Sequence, residues 1–151
     1  MKRVERSLTI PAPADTVFSF ASSLDDLPRW QSGIASAEMT STGPMRIGST
    51  ALVVRELMGQ RIEAPLEVTA YDPPRLLQLH SEVSGVKADA ILQVEPDGAN
   101  ASRVTFAMEI RGSGFTSFIE SMIASAAESD IGASLQRLKD VIAQERSPAS
   151  D

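Results

Sequence analysis

The 151-residue chain contains no cysteine and only one histidine, one tryptophan and one tyrosine. The absence of cysteine excludes disulfides, thiolate nucleophiles and cysteine-ligated zinc. It also fits a reducing compartment, so we expect a cytoplasmic protein. A single histidine leaves mostly carboxylates to ligate a transition metal, which is an unusual ligand set for zinc. We therefore expect neither a metal site nor a cofactor.

Positive charge and long apolar runs are scarce as well. The 14 basic and 20 acidic side chains give a formal net charge of −6. A nucleic-acid partner requires a cationic face that neutralises phosphates, and docking on anionic lipid requires the same. No apolar run is long enough to span a bilayer, and no apolar segment of a secretion signal follows the basic residues near the start. We expect no nucleic acid and no stable membrane association, and the sequence carries no signal for an oligomeric state.

The chain contains enough apolar residues for one hydrophobic core. Its hydrophobic fraction is 42%, which is ordinary for a globular domain. A chain of this length most often forms one domain. We expect that domain within residues 1–146, followed by a disordered tail at residues 147–151, which read Ser-Pro-Ala-Ser-Asp.

Turn signals containing glycine or proline divide the middle of the chain at strand-like spacing. After an alternating stretch at residues 4–10, candidate strands lie at 35–41, 50–58, 60–71, 75–83, 86–95 and 102–111. In the strands at 60–71, 86–95 and 102–111, apolar and polar side chains alternate. The apolar face of strand 60–71 consists of Ile62, Ala64, Leu66, Val68 and Ala70. Such alternation predicts an antiparallel sheet with one face buried against other elements and the other face exposed to solvent.

A long helix is expected to cover the apolar face. Between Phe115 and Gln144 there is no proline and only one glycine, Gly132, and apolar residues recur at three- and four-residue spacing. About thirty helical residues span roughly 45 Å, so a helix of this length needs a sheet that wraps around it. Asp130 and Ser134 flank Gly132 near the inner stripe, where they either contact a ligand or cap a kink.

Several short segments together resemble one known family. They are Ile10-Pro11-Ala12-Pro13, Leu27-Pro28-Arg29-Trp30, the strand-to-strand corner at residues 68–76, and Ser102-Arg103-Val104-Thr105-Phe106. In order and spacing the chain resembles the START-like (SRPBCC, helix-grip) superfamily, in its polyketide cyclase/dehydrase-type branch, over residues 3–144. The resemblance implies an α+β fold in which a curved antiparallel sheet of about seven strands wraps around a long C-terminal helix. It also implies two short helices after the first strand and an apolar cavity under the long helix.

The alternation and the resemblance together predict a binding site for a hydrophobic or aromatic small molecule. The predicted wall consists of Leu66, Val68, Leu79, Leu92, Phe106 and Met108. The predicted lid side consists of Trp30, Phe118, Ile119 and Met122. Binding would rest mainly on apolar burial, because few polar groups are expected to point inward. Trp30 is expected either to gate the cavity or to plug the core beneath the short helices.

An enzyme of the cyclase/aromatase type is the main alternative, and it follows from the resemblance. Such chemistry needs a proton donor or acceptor within hydrogen-bond reach of the substrate, and His80, Tyr71 or Glu56 would have to supply it. If Leu77 and Leu79 face the cavity, His80 faces outward as a surface histidine. The faces of Glu38 and Glu56 are not assigned by the pattern. A third possibility is a protein-interaction module with a filled core and no cavity.

Overall fold

The computed structural model describes residues 2–31, 33–57, 59–83, 85–112 and 117–146. The strands are β1 (Lys2–Ile10), β2 (Ile34–Met39), β3 (Thr50–Leu57), β4 (Gln60–Asp72), β5 (Leu76–Val83), β6 (Val86–Pro96) and β7 (Ser102–Arg111). The helices are α1 (Ala14–Ala21), α2 (Leu27–Trp30) and α3 (Ser117–Arg146), with a 3-10 turn at Leu24–Asp26 just before α2.

The seven strands form one antiparallel sheet in the order β1-β7-β6-β5-β4-β3-β2. Consecutive strands from β2 to β7 are neighbours, and β1 pairs with β7 in an unbroken register from Lys2↔Ile110 to Ile10↔Ser102. The long helix α3 follows the last strand, and the short helices follow the first. The predicted fold, a curved sheet around a long C-terminal helix, is confirmed.

Tight hairpins set the register of the central strands. Leu57 pairs with Gln60 across the β3–β4 turn, and Val83 pairs with Val86 across the β5–β6 turn. Gly59 and Gly85 within these turns have φ angles of +78° and +81°. Two-residue hairpins favour residues with positive φ, and glycine adopts that conformation without a steric penalty.

A bulge in β4 changes which side chains reach the core at the end of that strand. The register with β5 shifts between Val68↔Leu79 and Ala70↔Gln78. Val68 is buried as predicted, but beyond it Tyr71 packs against the core, and its ring lies 6.2 Å from the ring of Phe18. The prediction that Ala70 continues the apolar face is therefore wrong, because one extra residue reverses the alternation after a bulge.

Helix α3 uses its two halves differently. Its C-terminal half buries Leu135, Leu138 and Ile142 almost completely in the hydrophobic core. In its N-terminal half, Ile123 and Asp130 instead line an open space beneath the sheet. Among the described residues, no helix is long and apolar enough to cross a membrane.

Candidate functional site

A cavity of about 350 Å³ lies between the sheet and the N-terminal half of α3. Strands β3 to β7 supply one wall, α3 supplies the opposite side, and the short helices with the start of β2 close one end. Its volume lies at the lower end of the range of small-molecule sites. At about 30 Å³ per water-sized group, the space accommodates roughly a dozen non-hydrogen atoms.

Most of the predicted site residues lie around this cavity. Its lining includes Trp30, Leu66, Leu79, Leu92, Phe106, Met108 and Met122. Val68 does not belong to the lining: it is packed in the core, where its backbone bonds to Gly48 and Ser49 just before the β4 bulge. The side chains of Phe118 and Ile119 lie outside the described part of the structure.

Trp30 is a buried part of the cavity wall. Only 1% of its surface is exposed, and its ring makes an edge-to-face contact with Phe106 at a centroid distance of 6.0 Å and an interplanar angle of 83°. Arg137 Nη1 donates a hydrogen bond of 3.4 Å to the Trp30 carbonyl, which attaches α2 to α3. Trp30 thus fills the core beneath the short helices and also borders the cavity.

One cationic side chain, Arg55, lies within this largely apolar lining. Arg55 pairs with Ile62 and its neighbour Val53 pairs with Ala64, so β3 and β4 present all four of these residues on the cavity face. Within the described part of the chain, no hydrogen bond or ion pair holds the guanidinium. Burial lowers the pKa of Arg55 from its usual value, and the negative charge of Asp130 on α3 partly opposes that effect.

Other polar residues accompany Arg55 in the lining. Asp130 and Ser134 come from α3, as their positions beside the inner stripe of the helix suggested, and Ser81 comes from β5. The Ser81 Oγ and the Trp30 Nε1 are buried, and neither has a hydrogen-bond partner in the described structure. These polar groups come from both the sheet and α3, so the expectation that few polar groups point inward is corrected.

The sequence pattern missed Arg55 for a specific reason. Residues 51–54 read Ala-Leu-Val-Val, so both faces of β3 are apolar and alternation assigns neither of them to the core. The usable signal was the glycine turn at residues 58–60. A two-residue turn there pairs Arg55 with Ile62, which places the arginine on the face that strand 60–71 marks as apolar.

None of the three candidate proton-transfer residues of the enzyme alternative lines the cavity in the described structure. His80 is on the opposite, outer face of the sheet, as the alternation of its strand predicts, because Leu77 and Leu79 line the cavity. Tyr71 is half-buried and packs against the core, and Glu56, like Glu38, is exposed and outside the lining.

His80 is nevertheless not a free surface histidine, and that expectation is corrected. Its Nδ1 lies 2.7 Å from Asp89 Oδ1, and Arg111 donates a 3.1 Å hydrogen bond to Asp89 Oδ2. The Asp89 side chain is only 10% exposed. Because an ionised carboxylate only accepts hydrogen bonds, His80 Nδ1 carries the proton. These three residues form the Asp89 cluster.

The residue types around the cavity are those of an apolar ligand site. Among the residues that the structure describes, no group of three or more histidine, aspartate or glutamate side chains is placed to hold a metal ion. The lining can bury an apolar body against aliphatic and aromatic side chains while Arg55 and Asp130 interact with polar atoms. These charged groups suit orientation, proton transfer or charge stabilisation more than ligation of a metal.

Comparison with known proteins identifies the family. The sequence matches the family described as polyketide cyclase/dehydrase and lipid transport over residues 1–143. No curated protein matches it. The fold is similar to that of a START superfamily protein from Mycobacterium smegmatis, at 15% sequence identity and a TM-score of 0.76, covering 95% of this chain and 98% of that chain.

Two aromatase/cyclases also share the fold. The di-domain BexL from the BE-7585A biosynthetic pathway matches at 20% identity and a TM-score of 0.79, over 98% of this chain and 48% of that chain, so the present chain spans about half of BexL. The aromatase/cyclase ZhuI from Streptomyces sp. R1128 matches at 14% identity and a TM-score of 0.76, over 98% of each chain. At such identities the likeness shows the fold alone. Because the family match covers nearly all of the chain, this protein belongs to the polyketide cyclase/dehydrase and lipid transport family, and its fold is START-like.

Proposed function

We propose that this protein binds a hydrophobic or aromatic small molecule in the cavity between its sheet and helix α3. The observation that carries the proposal is the cavity itself, about 350 Å³ of space between the sheet and α3, beside an otherwise packed core. Protein interiors are normally close-packed, and the large voids that exist are commonly ligand sites. The cavity also argues against an interaction module with a filled core.

The size of the cavity sets the expected affinity. A ligand of about a dozen non-hydrogen atoms that gains about 0.5 kcal/mol per atom binds with roughly −6 kcal/mol. That free energy corresponds to a dissociation constant in the tens of micromolar. Leu66, Leu92 and Phe106 from the sheet and Met122 from the helix supply the apolar contacts in this proposal.

The test combines a search for natural ligand with a variant that fills the cavity. Native mass spectrometry of the purified protein is expected to show a co-purified small molecule, and a fluorescent apolar probe is expected to bind. Ala90, on β6, lines the cavity, so Ala90→Phe should weaken probe binding at least tenfold while the protein stays folded.

Ala143→Phe is the matched control, because Ala143 is an exposed residue of α3 outside the lining. It should change neither the probe affinity nor the melting temperature. The proposal is wrong if Ala90→Phe leaves probe binding intact and sharply lowers the melting temperature, as overpacking of a filled core does at a cost of about 1–3 kcal/mol.

A cyclase activity is a second candidate, favoured by the placement of Arg55 and Asp130 in the same lining. A carboxylate can remove a proton from an activated methylene carbon, and a guanidinium can stabilise the resulting oxyanion. In an intramolecular aldol condensation, the carbanion then forms a bond to a ketone carbon, and water leaves. Incubation with a poly-β-ketone should give the cyclised product with wild-type protein, and Asp130→Asn should abolish turnover while the probe still binds. Absence of turnover with wild-type protein would reject the cyclase activity, and ligand binding would remain as the proposed function.

A further inference from the structure

We propose that the ligand of this cavity carries one anionic carboxylate and that Arg55 selects it. This inference rests on the proposed function, because it assumes that the cavity holds a small molecule, and it names the chemical class of that molecule. The ligand is an amphiphilic monoacid whose apolar body fills the cavity and whose carboxylate meets the guanidinium.

The first argument is the state of the Arg55 charge. Its β-sheet neighbours on the cavity face, Val53 and Ile62, are apolar, and no described carboxylate lies within ion-pairing distance of it. Asp130 acts on the guanidinium only through space, and its effect is smaller than that of burial. Arg55 is half-buried, and a charge that faces an apolar lining is normally paired, because an unpaired charge in an apolar environment is costly. The missing partner is therefore expected to come with the ligand.

The second argument is independent of charge. Two buried side-chain polar atoms lack a hydrogen-bond partner among the described residues, namely Trp30 Nε1 and Ser81 Oγ. Both atoms belong to residues of the cavity lining. Unsatisfied buried polar atoms are rare in native structures, and each one calls for an explanation. Their concentration around a single cavity, together with Arg55, indicates that polar atoms of a ligand complete this part of the interior.

The third argument decides which anion fits. A guanidinium presents two parallel donors that match the two oxygens of a carboxylate. A phosphate carries up to two charges and is normally held by several cationic or amide donors, whereas Arg55 is the only lysine or arginine among the described lining residues. The nearby carboxylate of Asp130 would also repel a dianion more strongly than a monoanion.

The experiment compares an acid with its matched alcohol by calorimetric titration. Decanoate and decanol have apolar bodies of the size that the cavity accommodates. Wild-type protein should bind decanoate at least tenfold more tightly than decanol. Arg55→Met should reverse that order, weakening decanoate at least tenfold and strengthening decanol, because it replaces the only cationic side chain of the described lining with an apolar one. Asp130→Asn should tighten decanoate several-fold, because it removes a like charge.

Arg61→Met is the matched control, since Arg61 is exposed on β4 and lies outside the lining; it should leave the acid-to-alcohol ratio as in wild type. The pair 2-naphthoate and 2-naphthol repeats the comparison with an aromatic body and shows which body the cavity prefers. If Arg55→Met does not fold, Arg55→Gln removes the charge and retains a polar side chain, with the same expected loss of the preference for acid.

The outcomes separate this inference from the proposed function. Tight binding of both alcohols with no preference for the acids overturns the role of Arg55 and leaves the binding function standing. An equal loss of acid and alcohol in Arg55→Met gives the arginine a structural role and also overturns the inference. If neither acids nor alcohols bind and the apolar probe is not bound either, the proposed function fails together with the inference.

Discussion

Replacement of Asp89 is expected to destabilise the protein substantially, although this residue lies on the outer face of the sheet and does not line the cavity. Its side chain is only 10% exposed and accepts hydrogen bonds from His80 Nδ1 at 2.7 Å and from Arg111 at 3.1 Å. A hydrogen bond to a charged group contributes about 1.5–3 kcal/mol. The side chains of His80 and Arg111 are 30% and 51% exposed, so water partly replaces the lost acceptor.

With that allowance, Asp89→Ala should lower the free energy of unfolding by about 2–3 kcal/mol, less than the roughly 3–6 kcal/mol that two such fully buried bonds would give. For a domain of this size each kcal/mol corresponds to about 2–4 °C, so the melting temperature should fall by about 4–12 °C. His80→Ala leaves Asp89 with Arg111 as its partner and should cost about 1–2 kcal/mol. The two effects should not add, because both variants remove the same hydrogen bond.

Thermal and urea unfolding of wild type, the two single variants and the double variant measure these quantities directly. Asp97→Ala is the control, because Asp97 is exposed in the turn between β6 and β7, and it should change stability by less than about 0.5 kcal/mol. A fall of under about 1 °C for Asp89→Ala, or strict additivity in the double variant, would refute the reasoning that the Asp89 cluster stabilises the sheet.

Three further predictions concern single side chains. Arg55→Met should raise the stability of the ligand-free protein by about 1–2 kcal/mol in urea unfolding, because it removes a half-buried charge that has no partner; a loss of stability would contradict that account. Ser81→Ala should be neutral or stabilising by about 1 kcal/mol, because the buried Oγ has no partner in the described structure, and a clear loss would mean that the hydroxyl is satisfied. Ser102→Ala should cost about 1–2 kcal/mol, because Ser102 Oγ donates a buried 2.7 Å hydrogen bond to the Ala12 carbonyl; an unchanged urea midpoint would argue against this bond.

Alternation in the sequence was enough to predict most of the sheet. The last strand was predicted at residues 102–111, and β7 spans Ser102–Arg111. The helix predicted from Phe115 to Gln144 is found as α3, which ends at Arg146. Both elements have a clear period, two in the strand and three to four in the helix, because one face of each is buried and the other is wet.

The features that the sequence did not predict leave no periodic pattern of apolar residues in the sequence. The β4 bulge adds one residue to the pairing, and nothing in the local sequence marks it, so the core position of Tyr71 could not be predicted. Asp89 alternates as a solvent-facing residue should, but its neighbours across the strands cover it. Alternation also assigns side chains to the inner face, but it does not show whether their volumes fill the space. For that reason the prediction of a cavity depended on the family resemblance.

The pairing of β1 with β7 has a consequence for how the protein is made. Residues 2–10 emerge from the ribosome about a hundred residues before residues 102–111, the strand with which they pair in the described structure. Helix α3, which covers the core face, follows later still. Until those segments emerge, the nascent sheet exposes an apolar face and leaves strand β1 unpaired, the features that make an incomplete β-structure prone to aggregate. Pairings so distant in sequence also slow folding, and chaperone protection during translation should matter more for this chain than for a helical bundle of equal length.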